Sequence, residues 1–338
     1  MSEKTVAILG ATGVVGQQML QCLEERSFPV GRLVPLASQR SVDAGRTVSF
    51  AGEEVPVTLA EPDAFEGVDI VLGAADDATA RALLPEAVRR GAVCVDNSHA
   101  FRMDADVPLV VPEINAADIA SHHGIIANPN CATIIGLVPV WPLHQLAGVT
   151  RLVVSTYQAA SGAGKPGLDE LVREIGCVAA GEPVGETAPF AYQLAENLIP
   201  QIGGFKDEGY TSEELKMLNE GRKIMHLPEL RVSCTCVRVP VVRSHSESIT
   251  AEFERPLSVE EARAAIAAAP GCRLVDDLDA LQYPMPLDTS DQDLVFVGRI
   301  RPDLTDPNGL CLWCCGDQVR KGAATNCVQI AELLIQNA

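Results

Sequence analysis

The sequence predicts a two-domain α/β protein. A Rossmann-like, doubly wound parallel sheet comes first, then an α+β domain with a mixed sheet, then a C-terminal helix that packs back on the first domain. Three observations predict it. An apolar strand runs into a glycine-rich turn, Gly10-Ala-Thr-Gly13-Val-Val-Gly16, and then into an amphipathic helix, the order a dinucleotide-binding sheet requires. Short apolar runs then alternate with helical patterns up to Asn130, as βαβ units do. After Cys131 the strand-like runs lengthen and the alternation stops.

The elements follow in order. The first helix extends to Glu25, and Leu33–Ser38 reads as the second strand. Asp69–Ala75 is a third buried run, with a helix over 79–90 behind it. Val93–Asn97, Leu109–Val111 and Ile125–Ala127 are further short strands. These complete a first domain, 1–130. The second, 131–317, has strand-like runs at Arg151–Gln158, Val232–Val242, Ser248–Glu254 and Leu294–Arg301, with GLCLWCCG as another. Helical patterns lie at Ser212–Lys223 and Ser258–Ala268, and Gly176–Pro189 reads as a loop. Gln318–Gln336 is amphipathic, and the segment 318–338 is expected to return to the first domain.

Composition narrows the function classes. The 338 residues suit two domains, and 47% hydrophobic residues suffice for sizeable cores. Formal charge is 26 − 45 = −19, which argues against nucleic acid or an anionic membrane as a partner. No apolar run is long enough to cross a membrane and no secretion signal is expected. Eleven scattered cysteines fit thiols in a reducing cytoplasm. Cys234, Cys236, Cys311, Cys314 and Cys315 have to be weighed as a zinc set. They lie in strand-like runs without histidine at zinc-finger spacing, so buried strand cysteine is preferred and no metal is expected.

The glycine turn implies a nucleotide. Gly10, Thr12, Gly13, Val14, Val15 and Gly16 would surround a pyrophosphate, with Gly13 allowing close approach and Gly16 close helix packing. Thr12 stands where the second glycine of the usual pattern is expected. The second strand ends in Ser38-Gln39-Arg40-Ser41, without a carboxylate to bind a ribose hydroxyl. Ser38, Arg40 and Ser41 suit a 2′-phosphate, so NADP(H) is favoured over NAD. The competing reading is an exposed basic loop.

One cysteine has a chemical setting. In Asn128-Pro-Asn130-Cys131-Ala-Thr133 it follows a good helix cap, Asn130, and so enters the first turn of a helix. Helix-start N–H groups and the helix dipole favour a thiolate there. Among six histidines His245 is the best acid/base candidate, because it sits just past a strand end. His122 and His123 read as a surface turn and His144 as a structural helix residue. Arg238 in an apolar strand needs either a ligand anion or an ion pair.

The chain resembles the aspartate-semialdehyde dehydrogenase family over essentially its whole length. The resemblance is carried in order by GATGVVG, SQRS, VDNSHAFRMDADVPLVVPEIN, NPNCAT, STYQAASGAGKPG, FAYQLAENLIPQI, EELKM, CVRVPVVRSHSES and DQVRKGAATN. It is nearer the short-chain-length, Gram-positive-like subgroup. The resemblance implies Cys131 as nucleophile and His245 as acid/base, with Asn130 and Gln158 holding the nucleophile and the substrate carbonyl. It implies Arg102 and Lys216 on the phosphoryl group, and Glu213 and Arg238 on the α-amino and α-carboxylate groups. Ser161, Gly162 and Gln318 would lie near the nicotinamide. It implies reversible conversion of L-4-aspartyl phosphate to L-aspartate 4-semialdehyde by an NADP(H)-dependent enzyme. That step serves lysine, diaminopimelate, methionine, threonine and isoleucine biosynthesis. It also implies that 131–317 is the catalytic and dimerisation domain, with a homodimer, or a tetramer, built on its sheet. Two departures stand out: His99, where the family commonly has Ser or Thr, and the turn Gly73-Ala-Ala-Asp76, where it often has Ser-Ala-Gly.

Alternatives exist. N-acetyl-γ-glutamyl-phosphate reductase shares the chemistry but typically reads Pro-Gly-Cys-Tyr-Pro at the cysteine. A short-chain-type reductase needs Tyr-x-x-x-Lys, and Tyr157, Tyr192, Tyr210 and Tyr283 all lack that lysine. A non-catalytic NADP-sensing protein would have no reason to keep Cys131, Gln158, Arg238 and His245 together.

Overall fold

The structure, a computed structural model, describes residues 2–336; residues 1, 337 and 338, at the ends of the expected segments, lie outside them. Two compact units are present, Met1–Asn130 with Ala323–Ala338, and Cys131–Gly322.

In the first unit, chain order runs β1 (Lys4–Leu9), α1 (Val14–Glu25), β2 (Val30–Ala37), α2 (Gln39–Asp43), β3 (Thr47–Phe50), β4 (Glu53–Pro56), β5 (Thr58–Leu59), β6 (Ile70–Gly73), α3 (Asp77–Arg89), β7 (Val93–Asp96), α4 (Pro112–Asn115) and β8 (Ile125–Ala127). The main sheet has the order β5-β2-β1-β6-β7-β8 and every pair in it is parallel. Strand alternation makes it doubly wound. Val6 and Ile8 face a core shared with Met19, Leu20 and Leu23 of α1. Ala7 and Leu9 face the opposite core, with Leu84 and Ala87 of α3.

The second unit contains α5 (Cys131–Ala147), β9 (Val149–Gln158), α6 (Gly164–Ala180), α7 (Ser212–Ile224), β10 (Arg231–Arg238), β11 (His245–Phe253), α8 (Val259–Ala268), β12 (Cys272–Leu274), α9 (Pro286–Thr289), β13 (Val295–Pro302) and β14 (Gly309–Gly316). Its sheet has the order β10-β9-β11-β14-β13-β12. The outer pairs β10/β9 and β13/β12 are parallel, and the three between them are antiparallel. This is the expected mixed sheet. A last helix, α10 (Thr325–Gln336), belongs to the first unit. There Cys327, Val328, Ile330 and Ala331 join the α1 core, and Arg26 grips Glu332 through two hydrogen bonds of 2.8 and 2.6 Å.

Several expected boundaries move. Leu109–Val111 makes only an isolated bridge, Leu109 to Ala127; Pro108 and Pro112 flank it and lack the donors a strand needs. The run 232–242 stops as a strand at Arg238, just before Pro240. β11 begins at His245, earlier than its apolar part suggests, because Ser246, Glu247 and Ser248 hide the alternation. Helix α6 consumes the start of the expected Gly176–Pro189 loop and ends at Gly181, which adopts φ 70° as a left-handed cap. The final segment begins with a π-helical turn at Arg320–Ala324 before α10. The β3/β4 hairpin was not foreseen.

Cys234, Cys236, Cys314 and Cys315 are buried strand residues and Cys311 is half-buried. The Cys234 and Cys236 sulfurs are 3.7 Å apart. The Cys234 thiol is raised by its contact with Cys236 and by burial, and burial raises that of Cys314.

Candidate active site

The glycine turn sits where β1 hands over to α1. Gly10 has φ +90°, and a Cβ there would lie 2.6 Å from the Ala74 carbonyl oxygen. A Cβ at Gly16 would run into the Gly10 carbonyl, so helix and strand touch only because that side chain is absent. Helix α1 starts after Gly13 without a side-chain cap, so its opening amide dipoles are presented to the loop. Thr12, Val14 and Val15 are half-buried and Gly13 is exposed. At the end of β2, Ser38 and Arg40 are exposed and Ser41 is buried, with the two serine hydroxyls 3.4 Å apart. The cradle closed by Gly10 and Gly16 leaves room for the pyrophosphate of a dinucleotide, and the end of β2 at Ser38–Ser41 presents hydroxyls and a guanidinium but no carboxylate.

The same unit holds Arg102 and Asn130, both buried. Arg102 donates to the Asn97 carbonyl at 3.0 Å. An asparagine ladder prepares the segment before the cysteine. Asn326 of α10 donates to Asn128 at 2.7 Å, and Asn128 to Asn97 at 2.8 Å. His99 is exposed, and its N–H meets Asp77 at 2.8 Å. In the divergent turn, Asp76 caps α3 by accepting the Thr79 N–H at 3.0 Å.

The second unit brings together side chains far apart in sequence. Strands β9 and β10 are parallel, with Gln158 level with Arg238, so both chains end at the same edge of the sheet. β11 is antiparallel to β9, so its first residue, His245, starts at that edge. Cys131 is the first residue of α5. Its Sγ lies 3.4 Å from His245 Nε2, within thiol–imidazole reach.

His245 is fully buried. Its Nδ1 accepts the Ala159 backbone N–H at 3.1 Å, and its Nε2 is 3.3 Å from Gln158 Nε2. The Gln158 amide is oriented from both ends. Its oxygen accepts the Thr156 hydroxyl at 3.0 Å, and its nitrogen donates to Glu213 at 3.1 Å. Glu213 also takes an ion pair from Lys216 at 2.8 Å. Both ride on α7, whose start is set by a reciprocal Thr211–Glu214 capping box. Arg238 is buried, donates to the Ala159 carbonyl at 2.6 Å and lies 6.0 Å from the Phe190 ring centroid. It lines a cavity of about 310 Å³ with Phe190, Ile199, Gln201 and Gly203. Gln318 donates to Ser161 at 2.5 Å and accepts the Ser244 N–H at 2.8 Å, tying the residue before His245 to the loop after β9. Gly162 must lack a side chain: a Cβ would lie 2.8 Å from the Arg238 guanidinium and 3.1 Å from the imidazole.

Burial, aided by the Arg238 charge and opposed by Glu213, pushes the His245 pKa down to about 3. The ring is neutral at physiological pH. Burial also lowers the Arg238 pKa from its ordinary value, so a buried cation awaits an anion. Sequence reasoning missed Thr156, whose alternation with Gln158 on one strand face was an available signal. It also missed Gly322, where a Cβ would lie 2.8 Å from that of Cys131; no local signal points there.

Two family models match the chain: the NAD-binding domain of semialdehyde dehydrogenases over residues 5–122, and their dimerisation domain over residues 140–321. An aspartate-semialdehyde dehydrogenase of Synechocystis sp. is 51% identical over 332 residues, covering 98% of this chain and 97% of its own. A crystal structure of aspartate semialdehyde dehydrogenase II from Vibrio cholerae complexed with ASA superposes with a TM-score of 0.96 at 43% identity, covering 99% of each chain. A structure of aspartate semialdehyde dehydrogenase with NADP from Candida albicans gives 0.76 at 25% identity, covering 98% of each.

Proposed function

The chain belongs to the aspartate-semialdehyde dehydrogenase family, and we propose that it interconverts L-4-aspartyl phosphate and L-aspartate 4-semialdehyde through a thioester on Cys131, with NADP(H) as cofactor. The observation that carries this reading is the Cys131 sulfur at a helix start, 3.4 Å from a buried imidazole, beside the buried Arg238 and the Glu213–Lys216 pair. β-Aspartyl phosphate bears a phosphate, a carboxylate and an ammonium. A site for it needs separated cations and one carboxylate, which these residues supply in an acidic protein.

Arg238 holds the α-carboxylate, for which its planar fork allows two parallel hydrogen bonds. Glu213 takes the α-ammonium, and Lys216 and Arg102 offset the phosphoryl charge. Gln158 orients the carbonyl under attack, Asn130 sets the helix start that carries Cys131, and His245 is the acid/base residue at the carbonyl oxygen. Gly10, Thr12, Gly13, Val14, Val15 and Gly16 would hold the pyrophosphate, Ser38, Arg40 and Ser41 the 2′-phosphate, and Ser161, Gly162 and Gln318 the nicotinamide end. When bound, the cofactor supplies the reducing equivalent for the thioester. We assign the enzyme to aspartate-family amino-acid biosynthesis in the cytoplasm, feeding lysine, diaminopimelate, methionine, threonine and isoleucine, and acting as a homodimer through the second unit. No helix among the described residues is long and apolar enough to cross a membrane.

The test is NADP reduction with L-aspartate semialdehyde and phosphate, beside N-acetylglutamate semialdehyde. Phosphate-dependent turnover of the first alone is expected. Preference for the second substrate would move the assignment to the acetylglutamyl-phosphate reductases, and turnover of neither would sink it.

A further inference from the structure

We propose that the Ala159 backbone N–H locks His245 in its Nε2–H tautomer, so that the ring meets Cys131 as a donor and, with the Gln158 amide, forms a two-donor site for the acyl oxygen. The proposal rests on the thioester reading above and restricts the part of His245 in acyl transfer to hydrogen-bond donation.

A peptide N–H only donates, and that of Ala159 points at His245 Nδ1 from 3.1 Å. Nδ1 therefore presents its lone pair, and a neutral ring with its lone pair there carries its proton on Nε2. That proton faces Cys131 Sγ at 3.4 Å. Either the Nδ1–H tautomer or an imidazolium would set an N–H against the Ala159 N–H at 3.1 Å in a fully buried place, and a lost buried hydrogen bond costs about 1–3 kcal/mol. The Nε2–H tautomer instead faces the Gln158 NH₂ at the longer 3.3 Å, a conflict that an oxygen accepting from both relieves.

The charged neighbours agree. Cys131 on α5, Glu213 on α7 and Arg238 on β10 are the titratable groups around the ring, and Gln158 on β9 and Gln318 are neutral. Arg238 opposes a positive ring. Glu213 favours one, but is already engaged by Lys216 and Gln158.

Gln158 completes the site. Thr156 and Glu213 turn its amide so that the NH₂ lies 3.3 Å from His245 Nε2. With Nε2 protonated these are two donors side by side, and an oxygen beside the sulfur accepts from both. The Cys131 proton has gone to solvent, and its thiolate forms the S–C bond while the carbonyl π pair moves onto that oxygen. Return of the pair breaks the C–O bond, and phosphate leaves with its electrons. No proton passes through His245 in either step. Its part is electrostatic, in the manner of an oxyanion hole.

The test reads the tautomer directly. In enzyme labelled with ¹⁵N-histidine, the His245 signals are identified among the six histidines by their loss in His245→Asn. Nδ1 is expected at a lone-pair shift and Nε2 at an N–H shift, with neither moving between roughly pH 5 and 9. An Nδ1–H signal, or titration within that range, overturns the proposal. Replacing Ala159 by its α-hydroxy acid turns the N–H into an ester oxygen while keeping the side chain. The ring is then expected to switch to Nδ1–H, and an unchanged spectrum also overturns the proposal. Because the shifts are read without turnover, absence of semialdehyde activity would count against the functional reading and not against the tautomer.

Discussion

The two units solve the problem of holding a ligand in opposite ways. In the first, the candidate nucleotide residues are nearly contiguous, Gly10 to Gly16 and Ser38 to Ser41, and the backbone does much of the work. In the second, Cys131, Gln158, Glu213, Arg238 and His245 span more than half of that unit and meet because three strand ends come level and helices α5 and α7, which carry Cys131 and Glu213, pack on those strands. A contiguous motif depends on local backbone shape. An assembled site depends on register, since a one-residue slip turns every side chain to the other face.

The sharpest break between the two comes from Cys131→Ala. Turnover should fall by on the order of 10⁴-fold or more, while NADPH titration by fluorescence gives an unchanged Kd. Near-normal turnover would remove Cys131 from its role. Arg238→Lys keeps the charge and loses the fork. It should cost on the order of 10²-fold in kcat/KM for the semialdehyde, with KM for NADP held; unchanged constants would contradict carboxylate binding. Arg40→Glu probes the contiguous motif instead. It should raise KM for NADP by about 10-fold or more and leave that for NAD nearly unchanged. Equal effects on both cofactors would separate Arg40 from the 2′-phosphate.

Two smaller effects concern stability. Glu247 is fully buried two residues beyond His245, with neither carboxylate oxygen hydrogen-bonded, and burial holds its pKa well above the ordinary 4.5. The folded chain keeps that proton while the unfolded chain releases it above 4.5. Stability from this group is therefore complete below that pH and is lost as pH rises toward the folded-state value. Glu247→Met should raise stability by about 1–3 kcal/mol near neutral pH and by less in acid, read from denaturant midpoints. A gain that is larger in acid would contradict the buried neutral carboxyl. Thr211→Ala removes half of the α7 capping box and should cost about 1 kcal/mol. If KM for the semialdehyde rises as well, the start of α7 positions Glu213; if only stability changes, the cap is purely local.

The sequence shows the first unit almost whole because its information is local. A buried strand, a glycine turn and an amphipathic helix each leave a periodic trace within a dozen residues. The errors fell where periodicity is masked or a breaker intervenes. Polar Ser246, Glu247 and Ser248 concealed the start of β11, so His245 reads as a loop residue although it is the first of a strand. Pro240 cut β10 short of Val242. The Ala159 N–H and Gly322 went unseen because their meaning lies in what they touch, His245 and Cys131, both distant in the chain, whereas Thr156 touches Gln158 two residues on and left a trace in the strand alternation.

By itself, then, the sequence determined the fold class, the nucleotide turn and the cysteine at a helix start, all of which depend on steric and dipolar preferences within one or two turns of chain. Only the tertiary structure decided that Cys131 and His245 stand 3.4 Å apart, which end of Gln158 faces the imidazole, and that a backbone amide dictates which ring nitrogen carries the proton. Distances of that kind arise from strand register and helix packing, which sum over interactions between residues 57 to 114 positions apart and have no local signature.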